Sequence, residues 1–356
     1  MDNKKRKASQ FELLKIVAML MIVSHHLVTK NAFNVDTDMV GLDPSRVFLQ
    51  LIGNHAFVGN NLFFMVSAWF LSTHVETFNL HTTIKRVWNI DKVMLFYSIG
   101  IPVASALLLG GGRILNVSMI APISCGIWWY PTSYAIFLVF FPFLQQGLNA
   151  LNEKEVRNLA LVMFTIWTLP TIIPIKLQLA AGNTTCFFML YVVIYYIRRF
   201  APVWADNPKV YKSLCLGGYA LAFLSILILD VVGLKVKSIS DYACYYIRGD
   251  WRLMPVIISL GLFLWCTHWK MGYNKVINWM GGLTFAAYLI HFHPLMIDFL
   301  FVETFPLTEF IGKPLLPVYT IGVTIVIYIG CILIDQIRKW IYGGLEYCYE
   351  LIRKNG

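Results

Sequence analysis

The sequence predicts an all-α, polytopic integral membrane protein with about ten transmembrane helices in one bundle. Apolar residues make up 58% of the 356 positions and charged residues only 13%, whereas a soluble protein of this size needs about a quarter charged residues to cover its surface. The apolar residues also fall into runs of about twenty, the length of helix that crosses a bilayer. Because no linker separates a soluble part, we expect residues 1–356 to form a single domain.

Ten apolar runs are candidate spans. Their approximate limits are Phe11–Val28, Phe48–Ser72, Val93–Leu109, Ile127–Gln145, Leu159–Ile175, Thr185–Ile197, Ser213–Val231, Leu253–Thr267, Ile277–Phe301 and Leu315–Ile337. The first run follows a basic stretch but is too long for a signal peptide, and no small-residue cleavage site follows it. We therefore expect it to remain as the first transmembrane helix.

The distribution of basic residues predicts the orientation, because cytoplasmic loops are enriched in Lys and Arg. With the N-terminus inside, nineteen Lys and Arg residues lie in inner segments and nine in outer ones. An even number of spans then places both termini in the cytoplasm of a multi-pass cell-membrane protein, with a short amphipathic cytoplasmic tail at residues 338–356. The net charge of +10 is spread over alternate loops, so nucleic acid is not an expected partner.

The seven cysteines show no metal-ligand spacing and lie mostly in or beside apolar runs, where a thiol is usually a small core residue. We expect no metal site. Cys125 and Cys244 both fall in loops assigned to the outside, where a disulfide between them is one option.

The first apolar run contains the strongest functional signal. His25 and His26 lie at its outer end, although imidazoles are costly to place within a bilayer. Lys15 precedes His26 by eleven residues, almost three helical turns, so the two share one face about 16 Å apart. Glu12 can pair with Lys15 across one turn. The alternative is that Lys15 reaches the interface and the histidines only hydrogen-bond neighbouring helices.

The second run carries several amides and a hydroxyl, among them Asn60, Asn61 and Ser67. Asparagines within a bilayer need partners, so this helix should face the bundle interior. Its polar groups form either a binding site or an interhelical hydrogen-bond network. An outer loop likewise mixes aromatic side chains with Arg248 and Asp250, which suits either a sugar or an interfacial aromatic belt.

Four motifs together resemble the acyltransferase-3 family of polytopic membrane O-acyltransferases. The family has a basic residue, ten intervening positions and an essential histidine, matched here by Lys15 and His26. Residues 58–71 are similar to its Gly-Val-x-x-Phe-Phe-x-x-Ser-Gly-aromatic motif, and residues 128–130 lie where it has Trp-Phe-Leu. Residues 284–291 are similar to its Thr-Phe-x-x-Tyr-Leu-x-His signature. In this sequence Lys15 replaces the commoner arginine and Ala68 replaces a glycine.

The resemblance implies transfer of an acyl group, usually acetyl, from cytoplasmic acyl-coenzyme A to a hydroxyl. The acceptor would be a sugar of a surface polysaccharide, a lipid-linked glycan or an exported small molecule. Acetyl-coenzyme A would be a co-substrate, with no bound cofactor, and the lipid bilayer a partner.

The resemblance also suggests roles for residues. His26 would be the general base or acyl carrier, assisted by His25, and Lys15 would draw the anionic donor inward. Four more residues would bind the donor or the oxyanion: Asn61, Ser67, Arg86 and Trp129. Three residues of the first helix or of the late signature are secondary candidates: Glu12, Tyr288 and His291.

A transporter or exporter of a glycan or lipid-linked intermediate is the alternative function. Ten spans with polar interiors fit both classes. Transporters often show paired broken helices in two matching halves, and the sequence shows no such repeat.

Overall fold

The computed structural model describes residues 8–39, 41–73, 79–109, 117–174, 181–236, 239 and 242–355. Within these residues every regular element is helical. The helices are α1 (Ser9–Thr29), α2 (Pro44–Ile52), α3 (His55–Leu71), α4 (Leu80–Leu109), α5 (Trp129–Ala150), α6 (Glu153–Trp167), α7 (Asn183–Phe200), α8 (Pro208–Lys212), α9 (Gly218–Gly233), α10 (Leu253–Thr267), α11 (Lys275–Gly281), α12 (Thr284–His291), α13 (Pro294–Asp298) and α14 (Leu316–Asn355). The all-α prediction is therefore confirmed for this part of the chain.

The number of spans is not confirmed at ten. Four helical segments in the described residues are long and apolar enough to cross a membrane: 9–29, 80–108, 208–233 and 316–344. A fifth is added if the bent pair made of α12 and residues 294–310 counts as one span. Other predicted runs form helices that do not meet this test, such as α10, which has the predicted limits but only 15 residues.

The structure changes the limits of several predicted runs. Helix α4 begins at Leu80, well before the predicted start at Val93. A π-helical turn, Ser213–Gly217, joins α8 to α9 without a break. Helix α14 runs on to Asn355, so residues 338–355 extend the last helix rather than form a separate one. That this tail lies at the cytoplasmic surface stays a prediction. That residues 1–356 form a single domain also stays a prediction.

Three breaks interrupt two of the runs that were predicted to be single helices. The second predicted run divides into α2 and α3 at Gly53 and Asn54. The ninth divides into α11, α12 and α13, and the chain bends by 79° after α12. Pro294 is the first residue of α13, and proline has no N–H for the preceding helix to use. These breaks bring two helix junctions close to the end of α1.

Helix α1 lies at the centre of the bundle, packed against α3, α10, α11, α12 and α14. Its contact with α3 depends on Gly59, because a Cβ there would lie 2.7 Å from the carbonyl oxygen of Ala18. Real Cβ atoms do not approach an oxygen so closely, so the two helices can meet at this distance only at glycine. The central place of α1 puts both of its histidines inside the protein.

Candidate active site

Two histidines from distant parts of the chain meet where α1 packs against α12. His26 Nδ1 lies 2.9 Å from His291 Nε2, and both side chains are buried. His291 of α12 therefore contacts His26 of α1 directly. It is not an isolated packing residue.

The hydrogen bonds around His291 determine which nitrogen of each neutral ring carries the hydrogen. His291 Nδ1 lies 2.6 Å from the carbonyl oxygen of Ala287, and a carbonyl can only accept. His291 Nδ1 must donate, so its Nε2 is the acceptor in the neutral ring. His26 then donates from Nδ1 to that atom. This chain of bonds leaves a lone pair on His26 Nε2, the atom that can act as a base.

Aromatic rings surround the His26 imidazole. The Phe292 ring is stacked on it, with 3.9 Å between centroids and 8° between planes. The Tyr288 ring lies 6.4 Å away. Tyr288 is buried, and its hydroxyl has no hydrogen-bond acceptor among the described residues. These contacts keep His26 in a dry environment with an unused hydroxyl nearby.

His25 has a different environment. Its Nδ1 lies 2.5 Å from the carbonyl oxygen of Gly53, so Nδ1 donates and Nε2 of the neutral ring keeps its lone pair. The ring lies 5.1 Å from the His26 ring and 5.6 Å from the Phe57 ring. The break between α2 and α3 thus supplies the carbonyl that orients His25.

A cavity of about 260 Å³ lies beside His25 at the C-terminal end of α1. We call it the outer cavity. It is lined by His25, Val28, Thr29, Phe33, Asn34, Val35, Asp36, Leu49, Gln50, Gly53, Asn54, Phe57 and Arg248. Arg248 Nη2 pairs with Asp36 Oδ2 at 2.5 Å. His25, and not His26, is the imidazole that lines this cavity.

A second, smaller pocket of about 130 Å³ lies between α3, α4, α5 and α12. We call it the inner pocket. It is lined by Phe63, Ser67, Ile90, Tyr130, Pro131, Tyr134 and Phe285. Ser67 lies ten residues along α3 from Phe57, which lines the outer cavity, a separation of about 15 Å of helix. The inner pocket is therefore displaced along the bundle from the outer cavity.

Aromatic side chains connect the inner pocket to the histidine pair. Tyr130 lines the pocket, and its ring lies 6.1 Å from the Tyr288 ring, which in turn lies 6.4 Å from the His26 ring. Arg86 on α4 is half-buried, with its guanidinium 5.8 Å from the Phe141 ring of α5. The histidine pair lies between the outer cavity and this aromatic path.

Lys15 and Glu12 form an ion pair of their own, 2.7 Å between Nζ and Oε2. Both side chains are largely buried, with 19% and 10% exposed. Glu12 also packs against Gly281, where a Cβ would lie 2.4 Å from Oε2. The eleven residues from Lys15 to His26 keep the ion pair about 16 Å from the imidazoles.

The Asn61 side chain is hydrogen-bonded within the protein, and its predicted role in binding the donor or the oxyanion stays a prediction. Its amide donates to the backbone carbonyl of Asp250 at 2.8 Å, and Asn60 donates to Asp250 Oδ1 at 2.9 Å. The loop before α10 is thereby held in the bundle. Asp250 is 1% exposed, and this burial raises the pKa of its carboxyl to about 7 against the opposing effect of the Asn60 hydrogen bond.

Asp250 belongs to the loop that was predicted either to bind a sugar or to form an aromatic belt, and the structure shows that its carboxyl is buried. The signal that could have identified its burial is the neighbouring pair Asn60 and Asn61, since two buried amides need partners. Trp129, assigned to donor binding, is half-buried at the start of α5. Its neighbour Trp128 is fully buried and lies 5.7 Å from the His293 ring, so Trp128 is the tryptophan of this motif that packs in the interior.

Cys125 and Cys244 do not form the disulfide considered above. Both thiols are free, with Cys125 exposed and Cys244 buried. Burial raises the pKa of Cys244 to about 12, so this thiol stays protonated and unreactive at neutral pH.

Comparison with protein families identifies the class of enzyme that this fold and site define: a profile described as an acyltransferase domain matches residues 9–336. The chain belongs to the acyltransferase-3 family. It is an acyltransferase, and the family together with the apolar helices indicates a membrane protein, which favours the acyltransferase prediction over the transporter. No curated protein and no solved structure matches the chain.

Proposed function

We propose that the protein is an O-acyltransferase of the cell membrane. It would move an acyl group, acetyl in the first instance, from cytoplasmic acyl-coenzyme A to a hydroxyl of a sugar in a cell-surface or exported glycan. The observation that carries this proposal is the His26–His291 pair, placed between an inner pocket and an outer cavity. Such an arrangement lets two substrates approach one base from different directions.

The proposed reaction uses His26 Nε2 as the general base. This atom takes the proton of the acceptor hydroxyl while the hydroxyl oxygen attacks the thioester carbonyl carbon. The tetrahedral intermediate then expels the coenzyme A thiolate, which takes the proton back from the imidazolium. The products are the O-acyl ester and free coenzyme A, and His26 returns to its starting state. Transfer through an acyl group carried on His26 is the alternative for the same residue.

Neighbouring groups have supporting roles in this proposal. His291 accepts the His26 Nδ1 hydrogen and holds the ring in the basic tautomer. The Tyr288 hydroxyl, which lacks an acceptor among the described residues, can donate to the oxyanion of the intermediate. Ser67 lies in the inner pocket, where its hydroxyl suits an amide of the pantetheine arm.

The donor would enter from the cytoplasm. Its phosphates cannot enter hydrocarbon without a large desolvation cost, so they would stay among cytoplasmic cations such as Arg86. The uncharged pantetheine arm would pass along the inner pocket towards Tyr288 and His26. Lys15, nearly two turns into α1, would add positive charge near this entrance, partly offset by Glu12.

The test uses the purified protein in sealed vesicles of known orientation. Labelled acetyl-coenzyme A is supplied on one side and a crude cell-surface glycan fraction on the other. We expect label in the glycan only when the donor is on the cytoplasmic face and the acceptor on the opposite face. Product formed only when both are cytoplasmic would contradict the through-membrane arrangement. The absence of labelled glycan in every arrangement, including detergent solution, would contradict the O-acyltransferase proposal itself.

A further inference from the structure

A cavity of about 700 Å³ lies on the side of the bundle between α4, α12, α13 and α14. We call it the lateral groove. Its walls are mainly apolar, and they include Phe96 and Leu108 of α4, Ile290 of α12 and Ile334 of α14. Leu108 is 83% exposed, so the groove opens to the outside of the bundle, where lipid surrounds a membrane protein. Its volume lies within the roughly 300–1,000 Å³ that hold small organic ligands.

The groove follows α4 over a length that suits a hydrocarbon chain. Twelve residues separate Phe96 from Leu108, a helix length of about 18 Å, and half of the hydrocarbon core of a bilayer measures about 15 Å. Between them Gly100 and Ala104, one helical turn apart, line the groove with little or no side chain. A Cβ at Gly100 would meet no atom within 4 Å. This wall of α4 therefore leaves room for an extended acyl chain of a lipid.

Two carboxylates line the same groove because of a local change of helix type. Asp298 ends α13, and Glu303 lies in the π-helical segment Phe299–Thr304 that follows it. The Phe305 N–H donates to the Leu300 carbonyl at 3.0 Å, a bond that spans five residues. Residues five apart lie about one turn apart in a π-helix, whereas in an α-helix they would point about 140° apart. The π-helical turn thus presents both carboxylates on one side.

These carboxylates lie at one end of the groove and are free to bind a cation. Asn31, just after α1, donates to the Phe301 carbonyl at 2.6 Å, so the π-helical turn lies at the C-terminal end of α1. Asp298 and Glu303 are both exposed. Within the described part of the chain neither forms an ion pair. Carboxylates beside an apolar groove are stabilised by an opposite charge, so this end of the groove favours a cationic group.

The far end of the groove offers no charge of its own. Tyr97 lines it, but the Tyr97 hydroxyl already donates to Asp335 Oδ1 at 2.7 Å. Asp335 in turn pairs with Arg338, whose Nε lies 2.5 Å from the same oxygen. The polar groups at this end are therefore satisfied within the protein. A ligand that fits the groove is apolar along most of its length and cationic at one end.

We propose that the lateral groove binds a phospholipid with a primary-amine headgroup. The ammonium lies between Asp298 and Glu303, and one acyl chain extends along α4 towards Tyr97. A primary ammonium has three hydrogen-bond donors, enough to bond both carboxylates, whereas a quaternary ammonium has none. Lipids whose headgroup carries only phosphate, such as phosphatidylglycerol or a polyprenyl phosphate, are repelled by the two carboxylates. This proposal does not depend on the acyl transfer proposed above.

The first experiment measures the lipid retained by the purified protein with native mass spectrometry. The detergent micelles contain equal amounts of phosphatidylethanolamine and phosphatidylglycerol with the same acyl chains. The wild type should retain phosphatidylethanolamine in preference by at least about tenfold, because charge-assisted hydrogen bonds hold its headgroup. Asp298→Asn combined with Glu303→Gln should bring the ratio close to one. Asp38→Asn combined with Glu309→Gln, the matched control, removes the same charge outside the groove and should leave the ratio unchanged.

The second experiment separates a lipid in the groove from lipids elsewhere on the surface. Gly100→Phe fills the groove, and the open space at this position lets the ring fit without a clash. It should lower the retained phosphatidylethanolamine by at least about tenfold. Gly147→Phe is the matched control, since Gly147 of α5 also has no atom within 4 Å of an added Cβ and lies outside the groove. It should retain the lipid as the wild type does.

Three results would overturn the proposal. The first is equal retention of phosphatidylethanolamine and phosphatidylglycerol by the wild type, which would mean that the groove binds chains without reading the headgroup. The second is a preference for polyprenyl phosphate when that lipid replaces phosphatidylglycerol in the mixture. The third is unchanged retention of phosphatidylethanolamine in Gly100→Phe, which would place the bound lipid elsewhere.

Discussion

His25 and His26 are neighbours in the sequence, yet they occupy two different environments. His26 is stacked on Phe292 and hydrogen-bonded to His291, and Tyr288 lies nearby. We call these four residues the inner cluster. His25 is held by the Gly53 carbonyl and lines the outer cavity. Successive residues on an α-helix point about 100° apart, so one short stretch of α1 presents an imidazole to each environment.

The difference indicates how the two roles are divided. The partners of His26 are a ring nitrogen and aromatic rings, which orient a base and exclude water. His25 adjoins the amides and the ion pair of the outer cavity, which suit recognition of a polar molecule. Both rings are oriented through Nδ1, and both keep Nε2 unprotonated when neutral. We therefore expect His26 to dominate the chemical step and His25 to contribute mainly to binding of the acceptor.

The largest expected effect separates these two histidines. His26→Ala should abolish measurable transfer, a loss in kcat of at least about 100-fold, because general-base catalysis contributes about 10²–10⁴. His25→Ala should cost about tenfold or less and should act mainly on the KM for the acceptor. The measurement is steady-state kinetics with acetyl-coenzyme A and glycan, on variants shown by thermal unfolding and membrane insertion to be folded. Full activity in His26→Ala would remove its assignment as base, and a greater loss in His25→Ala would exchange the roles.

The next largest effect tests whether His291 orients the His26 ring. His291→Leu removes the acceptor for the His26 Nδ1 hydrogen and should lower kcat by about 10- to 100-fold, by analogy with the losses found when the group that orients a metal-bound histidine is removed. His291→Gln keeps an acceptor oxygen and should restore much of kcat. The KM for the acceptor should change little in both variants. Equal losses in the Leu and Gln variants would show that His291 only fills space.

Local features of this site could be predicted from the sequence, and long-range ones could not. The Glu12–Lys15 pair follows from three-residue spacing on one helix. The shared face of Tyr288 and His291 follows from the same rule. The contact between His26 and His291 joins residues 265 positions apart, and no helical periodicity specifies which helices become neighbours.

The positions of the helix breaks also could not be predicted from the sequence pattern. The residues on either side of Gly53 and of residues 292–294 are largely apolar, so hydropathy averaged over a span-length window predicts one long helix in each case. The breaks depend on backbone chemistry, namely a proline at the first residue of α13 and a short turn before α3. Their consequence is functional, because the Gly53 carbonyl orients His25. Partners for Asn60 and Asn61 were expected, but their identity as Asp250 depends on a loop packing inward.

The last predicted effect concerns stability and leaves the chemical step aside, and it tests whether the region around Asp250 is as dry as its burial implies. Burial raises the pKa of Asp250 to about 7, so the folded protein binds this proton more tightly than the unfolded chain. The stabilisation from the bound proton is complete below the ordinary Asp pKa of 3.8 and is lost as the pH rises through about 7. At about 1.4 kcal/mol per pKa unit, the difference between pH 4 and pH 8 is at most about 4 kcal/mol.

Asp250→Asn keeps the shape of the side chain and cannot ionise. The variant should therefore unfold at nearly the same temperature as the wild type at pH 4, close to the ordinary Asp pKa, and at a higher temperature at pH 8, as measured by thermal unfolding in detergent. Asp38→Asn is the contrasting control, because hydrogen bonds from the Asn34 backbone N–H and from Thr37 lower the pKa of Asp38. That carboxylate stabilises the fold above its pKa, so its replacement should lower stability slightly at pH 8. If Asp250→Asn showed the same pH dependence as the wild type, water would have to reach the carboxyl, and the dry inner region would be wrong.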